Sequence, residues 1–192
     1  MLKSTFITIS PIILLLCFLN GDKEEVKQEV QLNEIEIVEV VEPLPQIDKK
    51  EIQCMAMNIY HEARNESELG QVAVANVTIN RANSKRFPDT ICSVVYQAKM
   101  SNWWKQNKNR DVPIRNACQF SWYCDGKSDV VREVKAYKEI EKLAEEVLQG
   151  LHNDNTYGST HYHAHYVNPY WASSLVMVSQ VDSHIFYISG NR

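Results

Sequence analysis

Ile52, Met55, Ala56 and Ile59 recur at i, i+3, i+4 and i+7, one apolar face of a helix. A second and more fully apolar run follows at Leu69, Val72, Ala73, Ala75, Val77 and Ile79. The two are separated by the polar stretch His61-Glu62-Ala63-Arg64-Asn65-Glu66. This pattern predicts two helices meeting at a polar corner within Cys54–Asn83, and the rest of the chain must fold around that pair. A carboxylate at the end of an apolar helix, beside a loop, suits a general acid. The helix fixes the side chain, and apolar surroundings raise its pKa toward the operating pH. That points to Glu62. The competing reading makes Glu62 and Glu66 solvated helix-end residues paired with Arg64.

Further on, Asp89 or Thr90 is predicted to cap a short helix through Ile91, Val94 and Val95. Lys99–Asn116 is long and polar and carries Trp103, Trp104 and Pro113. It reads as a binding loop or lid, or else as a helical insertion. Asp125-Gly126-Lys127 reads as a turn. Arg132–Gln149 is the clearest helix, with an apolar stripe of Val134, Tyr137, Ile140, Leu143, Ala144, Val147 and Leu148, and with Gly150 as its stop. Thr160–Trp171 alternates, so His161, His163 and His165 would share one strand face. Three imidazoles at that period fit a metal site, a sugar-binding cleft or a plain structural strand. Val176, Val178 and Val181, then Ile185–Ile188, predict two more strands around Asp182-Ser183-His184. The fold class is therefore α+β: a helical body with a small antiparallel β-sheet toward the C-terminus.

The N-terminus differs in composition. Residues 1–21 carry one lysine ahead of a short apolar core, the pattern of an export signal or, uncleaved, of a membrane anchor. Leu14-Leu15-Leu16-Cys17 loosely resembles a lipoprotein cleavage site, although Leu16 is large where a small residue is wanted. Residues 22–51 hold ten Asp/Glu against four Lys and read as an acidic flexible linker. Residues 52–192, the expected domain, hold 15 Lys/Arg against 14 Asp/Glu. No basic footprint for nucleic acid is present. Beyond Cys17, the cysteines are Cys54, Cys92, Cys118 and Cys124, an even number in an apparently exported domain, and two disulfides are expected. Four cysteines allow three pairings. Cys118–Cys124 would close a short loop and Cys54–Cys92 would tie the first helix to the third, and this is the pairing expected. No CxxC pair favours zinc.

The ordered set Ile59-Tyr60-His61-Glu62-Ala63-Arg64-Asn65-Glu66, Gly70-Gln71-Val72-Ala73-Val74-Ala75, Asn80-Arg81, Phe87-Pro88-Asp89-Thr90-Ile91-Cys92, Val94-Val95-Tyr96-Gln97, Gln119-Phe120-Ser121-Trp122 and Thr160–Trp171, ending in His184-Ile185-Phe186-Tyr187, resembles the SleB-type cell-wall hydrolase family. The resemblance spans about Ile52–Ile188. It implies a lysozyme-like fold and cleavage of peptidoglycan glycan strands, with Glu62 as the catalytic glutamate. Asn65 stands where the family commonly has Gly; Asn tolerates positive φ, so the expected turn survives. The Lys99–Asn116 stretch is a second departure.

The implied chemistry is that of a lytic transglycosylase or muramidase. Glu62 would act as acid and then base between N-acetylmuramic acid and N-acetylglucosamine, with no cofactor and no metal. A two-carboxylate hydrolase would need a partner such as Glu66 or Glu68. Glu66, Gln119, Ser121, Tyr162 and His163 are the expected substrate contacts: an aromatic face stacks on sugars, and an amide bonds hydroxyls. Peptidoglycan is the expected partner, with membrane contact through residues 1–21 and a location in the periplasm or cell envelope. Two rivals stand beside this reading. One is a metal-dependent amidase or peptidase using His161, His163 and His165, although ligands alternating along a strand span about 13 Å. The other is a non-catalytic wall-binding module.

Overall fold

Asp48 opens the folded body. Its side chain accepts a hydrogen bond from the Lys50 amide at 2.9 Å and so caps α1, Lys49–Ala63. The computed structural model describes residues 44–190 of the chain. The export segment and most of the acidic linker expected at 1–21 and 22–51 lie outside them. Lys49–Glu51, just ahead of the expected domain start at residue 52, form the first turn of α1, and Ile47 packs on the core.

Ser67 caps α2, Glu68–Ala82, in the same way, with its side chain accepting from the Gly70 amide. Between the helices the chain closes a turn, with the Glu66 amide donating to the Ala63 carbonyl at 2.9 Å. Asn65 is not among the residues with positive φ, so the left-handed turn expected there does not form. The corner is made by that turn and the Ser67 cap instead. Thr90 caps α3, Ile91–Val95. The predicted long helix is α5, Val134–Leu148, followed by Gly150 at φ 79°.

Met55, Ala56 and Ile59 of α1 are fully buried against Val94 and Val95 of α3 and Ile140, Leu143, Ala144 and Val147 of α5. Ala73, Val74, Ala75 and Val77 of α2 are equally sealed. Two residues of the predicted stripes are exposed: Leu69 is 65% exposed and Val134 58%, because each lies in the first turn of its helix, ahead of the packed body. One polar chain crosses the core. Asn58 donates to Thr78 Oγ1 at 3.1 Å and accepts from Trp122 Nε1 at 3.1 Å. It fixes Trp122, in a 3-10 turn at Ser121–Cys124, against the end of α1.

Among the described residues two small antiparallel sheets complete the fold, one more than expected. Strands β1, Ala98–Met100, and β2, Pro113–Cys118, pair with each other, with the short helix α4, Asn102–Lys108, between them. The predicted long loop is therefore a helical excursion on a two-stranded stem. The C-terminal sheet runs β3-β5-β4, from β3, His161–Ala164, β4, Val176–Val181, and β5, His184–Ile188. The tip of the β4–β5 hairpin docks on the α1–α2 corner. There Ser67 donates from its amide (2.9 Å) and hydroxyl (2.6 Å) to Asp182 Oδ2. A Cβ on Gly70 would collide with that Asp182 carboxylate, so the approach requires glycine.

The disulfides pair as expected, Cys54–Cys92 and Cys118–Cys124. Their sequence separations, 38 and 6, predict unequal stabilisation, about 4 and 2 kcal/mol by loop closure. Replacing Cys54 and Cys92 by Ala should lower the melting temperature by about 10–15 °C, and replacing Cys118 and Cys124 by about half as much. The reverse order in calorimetry would refute the loop-closure account.

Candidate active site

Glu62 sits in the last turn of α1, and its side chain reaches a cavity of about 240 Å³ lined by Glu62, Arg81, Gln119, Phe120, Ser121, His161, Tyr162 and Trp171. It is the one carboxylate among these lining residues. Tyr162, on β3, donates its hydroxyl to Glu62 Oε2 at 3.1 Å. Burial pushes the Glu62 carboxyl above its ordinary range; the Tyr162 hydrogen bond and then the Arg81 charge pull it partly back. The Tyr162 hydroxyl is itself pushed well up, first by burial and then by the Glu62 charge, so it remains a donor.

Arg64 does not pair with either glutamate of the corner. Its guanidinium lies 5.1 Å from the Tyr60 ring centroid and 3.3 Å from a Glu133 carboxylate oxygen. The solvated-pair reading of Glu62 is thereby corrected.

The structure brings Glu62, Gln119, Ser121 and Tyr162 to one cavity and leaves Glu66 and His163 outside it. Both carboxylate oxygens of Glu66 accept from Ser183, one from its amide at 3.2 Å and the other from its hydroxyl. Glu66 thus clasps the hairpin tip, and with it the sheet that carries Tyr162. His163 stacks on Tyr187 at 5.2 Å between centroids; its Nε2 meets the Tyr187 hydroxyl at 2.9 Å. The strand ends at Ala164, and His165 turns to the Ser183 carbonyl. The three histidines therefore do not converge. Among the described residues no group of three or more His, Cys, Asp or Glu could hold a metal ion.

Arg81 is the residue the sequence reading left out of the site. It is 4% exposed, and its Nε donates to the Thr160 carbonyl at 2.8 Å. Its guanidinium lies 4.9 Å from the Phe120 centroid and 5.5 Å from that of Phe87. Its Nη1 has no partner among the described residues. His161 also lines the cavity, and burial, then the charges of Arg81 and Arg86, hold it below its ordinary pKa.

A second cavity, about 340 Å³, shares Glu62 and Ser121 with the first and is lined beyond them by His61, Trp122, Asp125 and Asp129, among others. His61 stacks on Trp122 at 4.5 Å. Glu62 thus borders space in two cavities.

The family description Cell Wall Hydrolase matches residues 65–187. The chain belongs to the cell wall hydrolase family. The matched stretch begins three residues after Glu62. A spore cortex-lytic enzyme of Oceanobacillus iheyensis is 49% identical over 51 residues, 27% of this chain and 18% of that protein. One from Halalkalibacterium halodurans is 51% identical over 47 residues, 24% of this chain and 14% of that protein. The chain thus aligns with less than a fifth of the length of these relatives. The crystal structure of the catalytic domain of the Bacillus cereus SleB protein superposes with a TM-score of 0.52 at 24% identity, covering 76% of this chain and 95% of that one. The chain therefore has the expected α+β fold, that of the SleB catalytic domain.

Proposed function

We propose that the protein cleaves the glycan strands of peptidoglycan, with Glu62 as both general acid and general base. The observation that carries this reading is a single, half-buried carboxyl, raised in pKa and held by Tyr162, at the junction of two cavities. Protonated Glu62 donates to the glycosidic oxygen between N-acetylmuramic acid and N-acetylglucosamine, and the bond breaks through an oxocarbenium-like state. The resulting carboxylate takes the proton of the muramic acid 6-hydroxyl, whose oxygen attacks C1 to close a 1,6-anhydro ring. Glu62 ends protonated again, and no water is consumed. One carboxylate suffices because the nucleophile belongs to the substrate. Gln119 and Ser121 are the assigned substrate contacts. Tyr162 holds the carboxyl.

This activity belongs outside the cytoplasm, where the wall lies, and two disulfides suit that compartment. Export or anchoring through residues 1–21, with the acidic stretch ahead of Ile47 as a tether, is part of the same reading. Among the described residues no helix is long and apolar enough to cross a membrane.

Mass spectrometry of the soluble products from purified sacculi tests the reading. Products ending in 1,6-anhydromuramic acid are expected. Reducing ends would replace the substrate nucleophile with water and direct attention to Asp125 and Asp129, which line the second cavity with Glu62. Free stem peptides without glycan scission would overturn the proposal.

A further inference from the structure

The excursion Ala98–Cys118 is folded but contributes nothing to the core. Helix α4 has no buried residue. Trp103 is 56% exposed, and Met100 and Ile114 are 38% exposed. The Trp103 and Trp104 rings meet edge to face at 4.9 Å, and the Arg110 guanidinium lies 5.8 Å from the Trp104 centroid. The arm is nevertheless held in shape. Ser101 donates to the Val112 carbonyl at 2.9 Å, Asn109 ends α4 at φ 49°, and the Cys118–Cys124 disulfide fixes the base. Ordering two tryptophans costs conformational entropy that no core burial here offsets.

Its charge is also set apart. Lys99, Lys105, Lys108, Arg110 and Arg115 stand against Asp111 alone, whereas the rest of residues 52–192 carries ten Lys/Arg against thirteen Asp/Glu. Lys105 is paired with Asp111 at 2.9 Å. Among the described residues the other four cations of the arm have no ion pair.

The arm is continuous with the catalytic cavity. Gln119, which lines that cavity, donates its amide to the Gln97 carbonyl at 2.8 Å. With Gln97, Ala98, Lys99, Ala117 and Cys118 it also lines a further cavity of about 350 Å³ at the base of the arm.

We propose that this arm grips the peptidoglycan strand beyond the sugars being cut. Trp103 and Trp104 offer aromatic faces on which sugar rings stack, and Lys99, Lys108 and Arg110 pair with the free carboxylates of the peptide stems. The proposal rests on the wall-cleaving reading above. A polymer of neutral sugars carrying acidic peptides is the ligand whose chemistry matches both halves of the surface.

The test is co-sedimentation of the full chain with purified sacculi, in a Glu62→Gln background so that nothing is digested. Adding Trp103→Ala and Trp104→Ala should weaken binding at least tenfold, with the melting temperature unchanged because neither ring is buried. Adding Lys99→Gln, Lys108→Gln and Arg110→Gln should weaken binding at low salt and flatten its salt dependence. Sacculus binding that survives both sets overturns the proposal. So does binding to anionic phospholipid vesicles that both sets abolish while sacculus binding persists, which would make the arm a membrane contact. If the parent protein neither binds nor cuts sacculi, the wall-cleaving reading fails first and the arm proposal falls with it.

Discussion

Replacing Glu62 by Gln is expected to cut glycan cleavage by about a thousandfold or more, the range general acid–base groups supply, and to leave the fold intact. The amide keeps the shape of the carboxyl, and its oxygen still accepts from Tyr162, which now lies 3.1 Å from Oε2. It can neither give a proton to a leaving oxygen nor take one back. Stability should not suffer. The Glu62 carboxyl is raised chiefly by burial, so its folded-state pKa lies above the unfolded one. The stability tied to it is fully present below the unfolded pKa and is lost as pH rises through the folded pKa. Gln carries no such penalty, so the variant should melt at or above the parent temperature near neutral pH, with a flatter dependence on pH between the ordinary carboxylate range and the raised Glu62 value. Sacculus solubilisation and melting curves check the two halves separately. A folded variant that still released glycan fragments would remove Glu62 from the chemistry.

Glu62 was legible because its placement is local. A helix end, an apolar face and a polar break are all written within a few residues. Glu66 has the same type and neighbourhood, but the residue that occupies it, Ser183, is 117 positions away, and nothing in the local pattern forecasts that contact. Arg81 was legible in principle. It falls at i+7 from Val74 and i+4 from Val77, on a helix whose neighbouring residues are sealed, and a cation on a buried face demands a reason. The histidine alternation did mark a strand, but the sequence could not show that β3 stops at Ala164 and releases His165. Strands β1 and β2 escaped notice because β1 has three residues and pairs through an irregular register, so neither shows a periodicity of its own.

Removing the charge of Arg81 should slow the reaction and move its pH profile. The charged and titratable groups around Glu62 are Arg81 from α2 and Tyr162 and His161 from β3. Across the second cavity stand His61 and Arg64 at the end of α1, and Asp125, Lys127 and Asp129 beyond the 3-10 turn. Of these, Tyr162 and then Arg81 oppose the upward push of burial on Glu62. The first chemical step needs Glu62 protonated, so activity is present below its pKa and is lost as pH rises through it. Arg81→Met removes an opposing charge, the pKa rises further, and the high-pH limb of kcat/KM moves to higher pH. Tyr162→Phe removes the opposing hydrogen bond and should move the limb the same way. The second step needs the carboxylate, which Arg81 stabilises inside a cavity that water screens poorly. Its loss should therefore lower kcat by about a hundredfold. Arg81→Met also strands the Thr160 carbonyl, now bound at 2.8 Å, at a cost of about 1–3 kcal/mol. That loss lowers the melting temperature but cannot by itself shift a titration. Arg81→Lys, which keeps the charge, should hold the limb near its parent position even if it melts earlier. If the Arg81→Met profile superimposes on the parent profile, Arg81 is a structural cation that supports β3 and has no electrostatic part in the proton cycle of Glu62.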